Sequence, residues 1–290
     1  MNSIITAQLV NKTTFLVGNK KNAGKTTFLN YALAQLRKVV QPAFFTIGID
    51  GEASDLIIDS PKPKVYTEIG DYVVTSSLMI SKSDALFEII HVFPYKTVLG
   101  RLVLAKTLRS GNIELVGSED NKQVGEIVDY LRNEAHINTI IIDGAASRVT
   151  QVASIKNSYF YYIIKLDQKS INSDINKLKT IALISKFRSI DEIDALENKV
   201  VFEIKGALTE SKLSMIPEDC AVLLLNDFTK IFLDFTQVTE LTRKLEIAYK
   251  ITYQLVSFVI ILKDIMKEDF VKIVENHHIE ETILYNPYDY

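Results

Sequence analysis

Residues 13–29 read TTFLVGNKKNAGKTTFL, and no other stretch narrows the possible folds of this chain so far. Five strand-forming residues (13–17) run into a polar loop of small side chains. The loop ends in Gly24-Lys25-Thr26, and a helical pattern begins at once. Strand, loop and helix in that order make an anion cradle. The first N–H groups of a helix have no partner within it, and the positive end of its dipole sits beside them. A triphosphate would contact Asn19, Lys20, Lys21, Asn22, Ala23, Gly24, Lys25, Thr26 and Thr27. Lys25 sets a positive charge against the β- and γ-phosphates, and the Thr26 hydroxyl is a ligand for Mg2+. The usual pattern has glycine six residues before the lysine. Here that position is Asn19, and Gly18 lies one residue too early. Asparagine enters left-handed backbone conformations more readily than most residues, so the turn remains available.

A chain of 290 residues, 47% apolar and 24% charged, has ample material for a buried core. Its net charge of −3 gives no general reason to expect nucleic acid. Cys220 is the only cysteine, which excludes an intrachain disulfide and a cysteine zinc site; beside the apolar run 221–225 it reads as a buried thiol. His277 and His278 read as a solvated helix end. The first residues lack the basic start and apolar core of a secretory signal, and no apolar run approaches the ~20 residues of a membrane span. A cytoplasmic protein is expected.

Along the chain, strands and helices alternate. A helix is expected over 25–38, a strand over 43–49, a strand over 72–76 and a short helix over 83–92 capped by Ser83. Residues 98–108 and 113–116 are strand-like, and Ser110-Gly111-Asn112 between them is a hairpin signal. A helix over 121–135 leads to an apolar strand at 139–142. Strands come next at 160–166, 200–204 and 221–225, with a helix over 173–187. Residues 239–267 carry a long amphipathic helical pattern. The fold class is α/β: a doubly wound, mainly parallel sheet of the P-loop NTPase type with an added antiparallel hairpin. No linker is evident, so residues 1–290 read as one domain with a helical C-terminal part from about 239.

Ligands of such sheets gather at the carboxyl ends of the strands. Asp143 closes the apolar strand there, the setting of an acid that holds Mg2+, against the plainer reading of a turn with Gly144. Asp50 and Glu52 end the strand after the loop helix; one could orient a water or act as a second metal ligand, against the plainer reading of a simple Asp-Gly turn. Lys20 and Arg148 are further candidates, each balanced by a solvated surface reading. The guanine-reading Asn-Lys-x-Asp motif is absent, with only a partial echo in Lys165-Leu166-Asp167, which favours adenine.

Several segments in order carry a more specific resemblance: GNKKNAGKTT, TIGIDGE, PKP, LGRLVLA, IELVG, IIIDGA, KGALT and NDFTKIFL, over roughly residues 13–235. Together they resemble the small P-loop ATPase subunit of the reactivating factor for lysine 5,6-aminomutase and ornithine aminomutase. The resemblance implies an ATPase that works with a larger, mismatch-repair-ATPase-like partner. It also implies exchange of damaged cofactor on an adenosylcobalamin-dependent aminomutase. It assigns the phosphate-loop lysine to Lys25, the Mg2+ hydroxyl to Thr26 and the strand-end acid to Asp143. The chain has no Asp-x-His-x-x-Gly cobalamin signature and no lysine marked as a pyridoxal Schiff base. Two other readings fit the same scaffold. One is a small-molecule kinase or dethiobiotin-synthetase-like ligase with an acceptor pocket at Asp50, Glu52 and Arg101. The other is a nucleotide-switched binding module without turnover. A homodimer is compatible with all three.

Overall fold

Strand β1 (Thr13–Gly18) is buried along its whole length, and the first half of the chain is arranged around it. The computed structural model describes residues 2–18, 23–48, 64–144, 155, 158–194, 196–275, 279 and 283–285. Their contacts divide into two compact units. The first holds the described residues up to Ile155 together with Tyr159–Ile164, and the second holds Ser158 and the described residues from Lys165 onward. The sequence shows no composition shift at this division.

In chain order the first unit runs α1 (Asn2–Leu9), β1, α2 (Lys25–Leu36), β2 (Ala43–Thr46), β3 (Val65–Thr67), β4 (Tyr72–Ser76), α3 (Ser77–Lys82), β5 (Leu86–Thr97), β6 (Gly100–Arg109), β7 (Gly111–Ile113), α4 (Asn121–Asn133), β8 (Ile140–Asp143) and the Tyr159–Ile164 part of β9 (Ser158–Leu166). Seven strands lie in the order β9-β1-β8-β2-β4-β6-β5. The first five are mutually parallel, β6 is reversed, and β5 is antiparallel to β6. This is an α/β architecture with a mostly parallel sheet. Strands β1, β2 and β8 are buried at every position, which is why apolar residues stand side by side in them (15–17, 43–45 and 140–142) instead of alternating with polar ones. Helix α2 buries Phe28, Leu29, Ala32, Leu33 and Leu36, and Phe28 packs its ring 5.0 Å from that of Tyr161 on β9. Helix α4 starts where Asp120 accepts hydrogen bonds from the backbone N–H groups of Lys122 and Gln123.

Two expectations in this unit are corrected. Residues 83–92 are not a helix: Ser83 is the C-cap of α3, and Leu86 opens the long strand β5. The apolar residues there match a helical spacing, but His91, Phe93 and Tyr95 alternate along a strand. The His91 ring stacks 4.0 Å from Tyr130 of α4, and Phe93 meets the same ring edge-on. The β-branched residues and Pro94 favour that extended course. The hairpin is also displaced. Strand β6 pairs back with β5 across a turn where Gly100 has φ 107°. Gly111 instead opens β7, which pairs with β3 in a separate two-stranded sheet.

The second unit contains α5 (Ile171–Ile184), β10 (Val201–Glu203), β11 (Val222–Leu225), α6 (Phe235–Thr242), β12 (Glu246–Tyr249), β13 (Tyr253–Leu262), α7 (Lys267–Val274) and β14 (Ile283–Tyr285). Strands β10, β11 and β12 form a parallel sheet in that order. Ile193, Val222 and Ala248 form a buried cluster under it. The long helix expected over 239–267 is overturned. Helix α6 stops at Thr242, and strands β12 and β13 occupy most of the remaining stretch. An apolar residue every third or fourth position also occurs in a strand buried on both faces, and Val256, Val259, Ile260 and Ile261 are β-branched. Cys220 is buried, and burial raises its thiol pKa, so it stays protonated. No helix among the described residues is long and apolar enough to cross a membrane.

One ion pair ties the far end of α2 to the sheet. Asp71, 1% exposed, accepts from Arg37 Nε at 3.0 Å and Nη2 at 2.6 Å, and from the Glu68 backbone N–H at 2.8 Å. Removing the guanidinium leaves a buried carboxylate without its counter-charge, so Arg37→Ala is expected to lower unfolding free energy by about 3–5 kcal/mol in urea titrations. A loss below about 1 kcal/mol would mean that this pair behaves like a surface bridge.

Candidate functional site

The chain leaves β1 for β2 on one side and reaches β9 on the other, so the carboxyl end of β1 is where the strand order reverses. A crevice for ligands opens at such a point in α/β sheets. Helix α2 begins there. Its N-cap, Gly24, has φ 96°, a left-handed conformation that a side chain resists. Gly24 therefore turns the backbone so that Lys25 and Thr26 occupy the first turn of α2.

Parallel pairing sets the second half of the site. Leu16 of β1 and Thr46 of β2 both stand opposite Asp143 of β8. Asp143, 4% exposed, thus lies between two neighbouring strands at their carboxyl ends. The Thr26 hydroxyl donates to Asp143 Oδ2 at 3.1 Å. The main chain around Asp143 is fixed from both sides. Its carbonyl accepts from Thr46 Oγ1 and from the Ile47 N–H, each at 3.0 Å, and the next residue, Gly144, donates its N–H to the Leu16 carbonyl at 2.9 Å.

Gly18, one residue out of place in the sequence pattern, has a clear role. A Cβ there would stand 3.2 Å from Lys25 Cγ and 3.3 Å from Ala23 Cβ. The aliphatic stem of Lys25 therefore lies back across Gly18, and a side chain there would make the stem or Ala23 give by a few tenths of an ångström. Spacing along the chain does not show this, because the close approach arises only where Lys25 returns over the end of β1.

Thr27 is exposed on the same turn of α2, and Ala23 is buried. Asn19, Lys20, Lys21, Asn22, Asp50, Glu52, Arg148 and the pair His277-His278 lie outside the described residues. Arg101 is not brought to Asp143: it sits on β6, separated from β8 by β2 and β4. Asp167, part of the guanine-motif echo, accepts from the Lys169 and Ser170 N–H groups at 3.0 Å and so builds the turn before α5. Among the described residues no three His, Cys, Asp or Glu groups assemble as a metal site. Thr26 and Asp143 supply one hydroxyl and one carboxylate, hard oxygen donors of the kind Mg2+ takes when phosphates and water complete its shell.

Sequence reasoning missed the segment that covers the end of β2. Leu115, Val116, Gly117 and Ser118 are buried as they cross it. The Gly48 N–H donates to the Ser118 carbonyl at 2.8 Å, and the Gly117 N–H to the Gly48 carbonyl at 2.9 Å. A Cβ on Gly117 would overlap the Thr46 carbonyl oxygen. The small residue followed by Ser118 and the helix-capping Asp120 was the available clue.

A scan against protein-family models, a search of curated proteins and a search of solved structures found no match to this chain.

Gly18→Val is expected to push the Lys25 stem and Ala23 apart. A cost of about 1–3 kcal/mol should lower the thermal midpoint by roughly 3–10 °C, while Thr27→Val on the same helix should leave it nearly unchanged. Equal midpoints for Gly18→Val and wild type would show that the Lys25 stem does not pack on Gly18.

Proposed function

We propose that this chain binds Mg2+-ATP in a phosphate loop of the P-loop NTPase type and hydrolyses it. The support for this is the meeting of Thr26 and Asp143 at 3.1 Å across neighbouring elements, directly beside a lysine that opens a helix after a left-handed glycine. In this reading the α2 N–H groups and the Lys25 ammonium bind the phosphates, and Thr26 and Asp143 would hold Mg2+. The ion, when bound, neutralises charge on the phosphate oxygens. Asp143 keeps its place through main-chain bonds to two strands, so its carboxylate is positioned before the ligand arrives. Adenine is favoured by the absence of a guanine-reading motif, and by the use of Asp167 in a local turn.

The biological setting rests on the ordered segments that resemble the aminomutase reactivating factor. In that setting the chain is the small cytoplasmic ATPase subunit. It acts with a larger mismatch-repair-ATPase-like partner, and services the mutase without itself holding cobalamin or pyridoxal phosphate. Its turnover drives the exchange of damaged adenosylcobalamin on the mutase. Recovery of an inactivated aminomutase by the chain, the larger partner, fresh adenosylcobalamin and ATP tests this directly. Stimulation of ADP release by a single metabolite, without mutase, would favour a kinase instead.

Loss of the Lys25 ammonium removes a charge-assisted contact to the phosphates. By analogy with oxyanion donors, that is on the order of 3 kcal/mol of transition-state stabilisation. Lys25→Ala should therefore lose ATP turnover by two orders of magnitude or more, with an unchanged circular dichroism spectrum. Undiminished hydrolysis would remove this lysine from the site.

A further inference from the structure

Strand β5 is the outer strand of the first unit's sheet, and among the described residues no strand pairs with its far side. Sheet edges ordinarily carry charged side chains or very short strands, which keep other chains away. Here Leu86, Ile89, Ile90 and Val92 are each 42–51% exposed, and Val98 in the turn that follows is 75% exposed. Elsewhere among the described residues, exposed apolar side chains of this size stand singly along the chain or, at Val200 and Val201, as a pair. Single ones are normal on a protein surface, whereas a run along one strand marks a contact surface.

The strand is held firmly where it presents this run. The His91 ring stacks 4.0 Å from Tyr130 of α4, Phe93 meets the same ring edge-on, and the Tyr95 hydroxyl donates to Glu126 of α4. Those side chains are taken up by the helix, and the aliphatic ones are not. Glu88 and Lys96 are exposed on the same strand, and neither has an ion-pair partner among the described residues.

These two charges select the occupant. Val92 lies midway between them in the sequence. When β5 is set antiparallel to β5 of a second copy, with a two-fold axis at Val92, Glu88 of each copy stands opposite Lys96 of the other. Ile89 and Ile90 then stand opposite Tyr95 and Pro94, and the axis repeats every contact. A parallel pair in register would instead set Glu88 on Glu88 and Lys96 on Lys96, which repel. Pro94 has no N–H to donate, and the ladder to β6 loses its register around it, between Val92 and Lys96. Contact across the axis therefore rests on side chains more than on an unbroken hydrogen-bonded ladder. The proline and the register shifts also deter endless edge-to-edge growth, and a two-fold pair uses up this edge in both copies.

We infer that β5 is the surface through which two copies of this chain associate, antiparallel about Val92. None of the residues involved belongs to the phosphate loop or to the strand of Asp143, so the pairing stands apart from the nucleotide reading.

Sedimentation equilibrium of the intact chain over a range of concentrations should show a reversible monomer–dimer equilibrium. Glu88→Lys sets like charges across both symmetric contacts and should raise the dimer dissociation constant about tenfold, as should Lys96→Glu. The double variant carrying both changes should return to within about threefold of wild type, a rescue that mere damage to the strand would not give. Val92→Cys should form a disulfide-linked dimer on mild oxidation, because Cα atoms facing each other across antiparallel strands lie about 4.5–5.5 Å apart, within reach of a disulfide. Cys220 is buried, so wild type should not cross-link under the same conditions. A chain that stays monomeric at every concentration overturns this pairing and leaves the edge to a strand of another protein. A dimer that is indifferent to both single charge changes and gives no Val92→Cys cross-link overturns it in favour of another face.

Discussion

The parallel register of β8 between β1 and β2 is the constraint on which the candidate site depends. Asp143 stands opposite Leu16 on one side and Thr46 on the other, so its carboxylate has only one place to emerge. A slip of one residue would turn Asp143 to the other face of the sheet and carry it away from Thr26. The register is specified at the ends of the isoleucine run: a one-residue slip would set Asp143 or Thr139 in a place now filled by a completely buried isoleucine. The apolar effect that folds the sheet thus also sets the distance between the hydroxyl and the acid.

That frame extends beyond the two residues. The carbonyl of Asp143 fastens the end of β2, Gly144 fastens β1, and Gly48 fastens the Gly117–Ser118 crossing. Apart from the bond from the Thr46 hydroxyl, each link is a backbone bond in a buried or half-buried setting, where a lost partner is costly. Two glycines fall where chains approach closely: Gly18 under the Lys25 stem, where a Cβ would be tight, and Gly117 against the Thr46 carbonyl, where it would overlap. The site is therefore assembled from main chain first, and side chains are added to a scaffold that is already fixed.

The legible parts of the fold are those whose signals are local. The β1-loop-α2 unit and β8 can be read because strand, glycine, lysine and buried isoleucines are contiguous. Helix α4 can be read because Asp120 caps it within its own first turn. Strand β5 cannot, since Ile89, Ile90 and Val92 fit either period, and only pairing with β6 and packing of His91 and Phe93 on Tyr130 decide it. The same ambiguity hides β12 and β13 inside an apparent helix. Arg101 is a plausible pocket residue by its chemistry, yet two strands intervene between its own strand and that of Asp143.

Titration calorimetry of the intact chain with ATP in the presence of Mg2+ tests the central claim most directly. Binding heat that fits a single site, and that disappears when Asp143 and Thr26 are replaced together by Asn and Val, is the expected result. Absence of heat from both ATP and GTP would contradict the account.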